Sequence, residues 1–351
     1  MSRALRKALI GTAVAAAGAT ATVALERAAV RRARSRPDPE RGENLAERPG
    51  TERRVTSFDG TELAVNEVGP EGAPTLLFAH GFSIDMTAWH YQWKRFSKEY
   101  RCVLYDQRGH GRSARAASGD YSIDALGRDV KAVLDATASK GPVVLIGHSM
   151  GGMSIMSFAA LHPEEFGRRV RAVALANTAA SDIVQEFLSG IGIRMTSTAF
   201  HLAERLARNP ARVYKLRARA LGRGANLAFL VARATNFSPQ ASATLVDYVV
   251  GVAARAPAAI WTDILASLVN LDLSHALEHI TVPTLVVAGD VDRLTPPATS
   301  RAIQAKLPDG RLTVLHGAGH CAMLERHEDF NRVLSGFLAE VLARRAQKAP
   351  A

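Results

Sequence analysis

The chain has 351 residues, 47% of them apolar, with a formal net charge of +11 and two cysteines. That is enough apolar chain to bury a sizeable core, in one large domain or two ordinary ones. Cys102 and Cys321 are too few for a disulfide framework, and no Cys/His cluster has metal-ligand spacing, so neither a disulfide scaffold nor a zinc site is expected.

The positive charge invites a nucleic-acid partner, but its distribution argues against one. Residues 1–36 and residues 194–223 each carry a net charge of +7, so the rest of the chain is net −3. No nucleic-acid motif accompanies either segment, and no nucleic-acid partner is expected.

At the N-terminus, Ala8 to Leu25 holds no charged residue and has basic residues on both sides. Eighteen such residues at helical rise approach the hydrocarbon thickness of a bilayer, although Ala, Gly and Thr make the run weakly apolar. Three readings compete. They are a membrane anchor, a secretory signal cleaved near Ala19-Thr20-Ala21, and a surface helix. Residues 1–34 are taken as this basic and apolar segment, with association to a membrane surface the expectation. Residues 35–54 are polar and rich in Pro and Gly, which reads as a linker, so the globular unit is expected over residues 55–345.

Val55–Phe58 and Thr61–Val68 read as hairpin arms around Asp59-Gly60. Apolar runs then alternate with helical patterns. Strands are expected at Thr75–Ala79, Arg101–Tyr105, Val143–Ile146, Val170–Ala176, Thr284–Ala288 and Leu312–Leu315. Ser122 is placed to cap a helix whose Ile123, Leu126, Val130, Val133 and Leu134 share a face. Another helix begins at Met150, and a last one spans roughly Glu328–Arg345. Cys102 lies within a buried run and reads as a free core thiol. Short apolar strands alternating with helices imply an α/β fold, a mostly parallel sheet with helices on both faces. Residues 179–282 break that rhythm and read as an inserted helical lid. It carries Ile183, Phe187, Leu188, Ile191, Phe200, Leu202, Phe229, Leu230 and Phe237 to pack on the sheet or line an acyl pocket.

The chemistry concentrates at Gly147-His148-Ser149-Met150-Gly151, a G-x-S-x-G pentapeptide entered by a strand and left by a helix. The two glycines leave room for a sharp turn that lifts the Ser149 hydroxyl out of the sheet. A serine needs a base and the base needs an orienting acid. His320, after the last strand, is the candidate base. Asp292, just past the preceding strand, is the candidate acid, with Asp290 two residues earlier as its competitor. The oxyanion donors would be the N–H of Met150, at the helix start, and the N–H of Phe82, in His80-Gly81-Phe82 after the Thr75–Ala79 strand. His110 reads as structural, and His148 as lying beside the nucleophile but projecting elsewhere from the turn.

These segments together resemble the α/β-hydrolase fold family, its large esterase, lipase and peroxidase-like group, in an actinobacterial type with an Ala-rich N-terminus. They are FAHGFS (78–83), YDQRGHGRS (105–113), LIGHSMGGM (145–153), VVAGDVDRLTP (286–296) and LHGAGHCAMLE (315–325), in the family's order over roughly residues 53–345. The resemblance implies an eight-stranded, mostly parallel sheet with a variable cap, a Ser149–His320–Asp292 triad with Asp292 preferred to Asp290, and no metal or organic cofactor. Serine at the turn speaks against the epoxide hydrolases and haloalkane dehalogenases, which carry aspartate there. The implied reaction is hydrolysis of a small-molecule or lipid acyl ester. A peroxidase-like or acyltransferase activity, and a ligand-sensing protein on the same fold, use the same residues.

Overall fold

The computed structural model describes residues 24–138, 141–182, 225–256, 258–268 and 271–346. Its centre is an eight-stranded sheet in the order β1-β2-β4-β3-β5-β6-β7-β8. The strands are β1 (Thr51–Thr56), β2 (Glu62–Val68), β3 (Thr75–Ala79), β4 (Arg101–Tyr105), β5 (Val143–His148), β6 (Val170–Ala176), β7 (Thr284–Gly289) and β8 (Gly310–Leu315). β2 runs antiparallel to β1 and to β4, and every other neighbouring pair is parallel.

Successive residues of the central strands enter opposite cores, as the two faces of a pleat require. Leu76, Phe78, Val144 and Ile146 pack on one side, and Leu77, Ala79, Val143 and Leu145 on the other. Cys102 is a buried free thiol in the first core. The helices are α1 (residues 24–34), α2 (His90–Phe96), α3 (Ile123–Thr137), α4 (Met150–Leu161), α5 (Ala225–Asn236), α6 (Ala243–Arg255), α7 (Ala258–Leu268), α8 (Pro297–Lys306), α9 (Ala322–Glu325) and α10 (His327–Ala346). α3 starts as its sequence requires, with the Ser122 hydroxyl accepting the Ala125 N–H at 3.2 Å.

α5, α6 and α7 form a helical insertion between β6 and β7. Phe229 and Phe237 are buried, and Leu230 packs against the same core. The other expected lid residues, Ile183, Phe187, Leu188, Ile191, Phe200 and Leu202, and the basic run 194–223 lie outside the described residues.

The N-terminal expectations need correction. Among the described residues no helix is long and apolar enough to cross a membrane. Residues 8–23 of the proposed anchor lie outside the described residues. The described part, α1, is docked on the protein's own core. Val30 and Ala33 are buried there, Arg34 makes a two-pronged ion pair with Asp247 on α6, and its guanidinium lies 4.7 Å from the Phe229 ring. The membrane-associated reading is therefore withdrawn for this segment.

Residues 35–54 are not a free linker either. Leu45 is buried, the Asn66 side chain donates to the Pro49 carbonyl, and β1 begins at Thr51. Burying Val30 and Leu45 contributes about 2 kcal/mol each. β1 was only half legible because its Thr51–Arg54 side chains are exposed. An edge strand pairs through its backbone and leaves no apolar pattern in that stretch.

Candidate active site

Ser149 sits where β5 turns into α4, with φ 52° and ψ −119°, a left-handed conformation that costs a non-glycine residue on the order of 1–3 kcal/mol. The surroundings hold it there. The Ser149 N–H donates to the Ala176 carbonyl at 3.0 Å, and the Thr178 hydroxyl donates to the Ser149 carbonyl at 2.8 Å. The glycines of the pentapeptide are sterically required, because a Cβ at 147 would come within 2.6 Å of the Gly151 carbonyl oxygen and one at 151 would collide with the Ala79 carbonyl.

Asp292 and His320 meet at the same end of the sheet, where His320 Nδ1 donates to Asp292 Oδ2 at 2.9 Å with both residues buried. Asp292 is saturated with donors. Its Oδ1 accepts the N–H groups of Leu294 (2.8 Å) and Thr295 (3.0 Å), and its Oδ2 accepts the Thr295 hydroxyl (2.8 Å) and the Asn177 amide (2.9 Å). Burial alone would raise this carboxyl, but the His320 charge and these hydrogen bonds outweigh it and hold the pKa below its ordinary value. Asp290 points elsewhere, accepting the Ala318 N–H at 3.3 Å and pairing with His316.

Ser149 reaches this edge one residue after His148, whose ring centroid is 4.8 Å from that of His320. His148 Nε2 donates to the His320 carbonyl at 2.9 Å, so its ring supports the histidine loop. Burial, with the nearby His320 charge, pushes the His148 pKa down to about 3 and keeps the ring neutral.

The loop after β3 is built on two more buried histidines. His80 Nδ1 donates to the Gly81 carbonyl at 2.7 Å, and its Nε2 accepts the Gln107 N–H at 2.9 Å. A carbonyl and the following N–H point in opposite directions across a trans peptide. Fixing the Gly81 oxygen on His80 therefore turns the Phe82 N–H away from it. His110 Nε2 accepts the Ser83 N–H at 3.3 Å, which makes its structural role specific. Burial lowers His80 to about 4, and burial with the His80 charge lowers His110 to about 3. Among the described residues neither the Phe82 nor the Met150 N–H is engaged in a hydrogen bond. The Phe82 ring meets Trp261 of α7 with centroids 4.6 Å apart.

Next to this loop lies a second acidic centre. Asp85 and Asp106 share Arg48, at 3.2 and 2.9 Å. Asp106 Oδ1 also accepts the Met86 N–H at 2.8 Å. Burial and then the Asp85 charge raise Asp106 to about 6, with Arg48 working against them.

Sequence reasoning missed Asn177, Thr295 and Arg48. Thr295 left a signal in Asp292-Arg293-Leu294-Thr295, an acid followed by turn residues, where the side chain caps nearby N–H groups. Asn177 left only an Asn at a strand end, and it adopts φ 46° there.

A family model described as alpha/beta hydrolase fold matches residues 74–327. 3-Oxoadipate enol-lactonase 1 of Acinetobacter baylyi (strain ATCC 33305 / BD413 / ADP1) is 25% identical over 288 residues, 82% of this chain and 97% of that protein. A non-heme chloroperoxidase of Burkholderia pyrrocinia is 29% identical over 294 residues, 81% of this chain and 98% of the relative. Among solved structures, a membrane phospholipase A described as a bacterial virulence factor is 25% identical with a TM-score of 0.62. That match covers 97% of this chain and 99% of the other.

Proposed function

The chain belongs to the alpha/beta hydrolase fold family and is a hydrolase, and on that premise we propose that it cleaves a carboxylic ester through an acyl-enzyme on Ser149. The observation that carries this reading is the donor-saturated Asp292 bonded to His320 at the edge where the strained Ser149 turn emerges.

In the proposed reaction Ser149 Oγ attacks the ester carbonyl carbon while His320 Nε2 takes the hydroxyl proton. Nε2 is the acting atom because Nδ1 is committed to Asp292. The carbonyl oxygen, now an alkoxide, is held by the N–H groups of Phe82 and Met150. Collapse expels the alcohol, which takes the proton from the imidazolium. Water then attacks the acyl-enzyme with His320 as base again, releasing the acid and free Ser149. Asp292 keeps the working tautomer and stabilises the imidazolium.

Phe82 and Trp261 offer aromatic surface beside the reacting centre, and the buried histidines around it stay neutral. Both features favour a neutral ester with an apolar acyl group, lipid esters included. Fluorophosphonate labelling of the wild type and of S149A tests the assignment. The wild type is expected to be labelled and to hydrolyse p-nitrophenyl esters, and S149A to do neither. Labelling that persists in S149A would remove Ser149 from the reaction.

A further inference from the structure

Glu325 takes no part in the chemistry above, yet it lies five residues after the proposed base. It ends α9, and its Oε1 accepts the N–H of Gly319, the residue before His320. The same carboxylate accepts the Ser238 N–H at 3.2 and 3.0 Å. Ser238 lies in the turn between α5 and α6, so one side chain bridges the histidine loop and the helical insertion.

Two further contacts tie the same pieces together. The N–H of Cys321, on the other side of His320, donates to the Asn236 carbonyl at 2.8 Å. Gly319 lies flat against Phe237, where a Cβ at 319 would come within 2.5 Å of the Phe237 carbonyl carbon. From the sheet side the Asn177 amide donates to the Gly319 carbonyl at 3.2 Å. Both neighbours of His320 are thus held by residues 236–238 of the insertion.

Burial raises the Glu325 carboxyl, and the N–H groups of Gly319 and Ser238 oppose that rise. A cavity of about 420 Å³, lined by Arg36, Glu40, Ser238 and Arg326 among others, reaches Glu325 from the N-terminal side. Water can therefore fill the space left by a shorter side chain.

We propose that Glu325 is a positioning residue for His320 that couples the 236–238 turn of the insertion to the catalytic histidine loop. The insertion then sets the angle of the imidazole as well as the shape of the pocket. A carboxylate is suited to this because it accepts N–H groups from two chain segments at once, and such charge-assisted bonds are the stronger kind. This inference rests on the proposed hydrolase mechanism.

The test compares the full chain with E325A, E325Q and S149A on a p-nitrophenyl ester, with fluorophosphonate labelling alongside. E325A should lower kcat by about 30-fold, the scale of one lost charge-assisted hydrogen bond, with KM changed by less than about twofold. E325Q keeps one acceptor oxygen and should retain more kcat than E325A. Labelling of Ser149 should slow in step with kcat, because it needs the same base. Wild-type kcat in E325A, or a loss confined to KM, overturns the coupling. If E325A fails to fold, E325Q and E325D carry the same readout. If S149A keeps activity, the hydrolase mechanism itself fails. If S149A is inactive while E325A behaves as wild type, only the coupling falls.

Discussion

Asp292 and Asp106 are both buried, both end or follow a strand of one sheet, and both have a basic partner within 3 Å. Their titration goes in opposite directions. Asp292 is held below its ordinary pKa, whereas Asp106 rises to about 6. Burial acts on both in the same sense, so the neighbours decide. Asp292 has four donors besides His320, and its Asp290 competitor is turned away. Asp106 accepts two backbone N–H groups, from Met86 at 2.8 Å and Arg112 at 2.7 Å, but shares its one arginine with Asp85, whose negative charge stands beside it. The lesson is that a basic partner does not by itself keep a buried carboxylate charged. At Asp106 burial and the like charge of Asp85 outweigh the arginine and two N–H donors, whereas at Asp292 the four donors and His320 outweigh burial.

The strongest test of the Asp292 side of this comparison neutralises Asp292 and, separately, its neighbour Asp290. D292N should lower kcat by roughly 10⁴-fold while leaving the protein folded, because the histidine loses the partner that selects its tautomer. D290N should cost less than about tenfold, since the side chain holds the Ala318 N–H and His316 and does not touch His320. Steady-state kinetics on the purified variants decide this, and equal losses would return the choice between the two aspartates to the beginning.

The second test removes the shared arginine. R48M removes the cation of Asp106 and leaves Asp85 with only Arg255, at 3.9 Å, and should destabilise the fold by about 3 kcal/mol in urea at pH 8. At pH 5.5 the loss should shrink, because Asp106 with its raised pKa takes up a proton and no longer repels Asp85. A loss independent of pH would mean that Arg48 acts through packing alone. By the same reasoning a chain beginning at Arg53 should fold less stably than the full chain, because it lacks Arg48, Leu45 and Val30 together.

The third test reads the whole site by its pH dependence. His80, His110 and His148 have folded pKa values of about 4, 3 and 3 against an ordinary 6.5. Below about pH 6.5 the unfolded chain binds these protons and the folded one does not, so stability falls from there toward pH 4. Asp106 works the other way between about pH 6 and its ordinary 3.8, where the folded state holds the extra proton. His90 and His327 are lowered as well, and Asp129 and Glu325 raised, so five histidines stand against three carboxyls and Tm should fall steadily from pH 7 to pH 4.5. A Tm that rises over that range would show that the histidines are not buried neutral.

The smallest effect is expected at Thr295. T295V removes one donor from Asp292 and should lower kcat about fivefold, corresponding to about 1 kcal/mol for one hydrogen bond. The measurement sharpens the comparison, because it shows how far the donor set around Asp292 is redundant.

Much of this molecule was legible in advance, and the reasons are local. The buried strands announce themselves as apolar runs, the α3 start as a capping serine, and the Ser149 turn as a pentapeptide whose two glycines have no room for a Cβ. The failures share a cause as well. β1 hid in exposed Thr51–Arg54, and residues 35–50 looked like a tether because polar, Pro-rich sequence does not reveal that its arginine has acids to meet.

The sequence by itself therefore determined the buried strands, the helix beginning at Met150, the family and the order in which serine, aspartate and histidine appear. Each of those is written in neighbouring residues, where backbone sterics and apolar periodicity act. Only the tertiary structure decided that Asn177 meets Asp292 across 115 positions, that Ser238 meets Glu325 across 87, and that Arg48 meets Asp106 across 58. Such pairs leave no local pattern, because a hydrogen bond depends on distance in space, and residues that far apart in the chain come together only once the sheet and its insertion have folded.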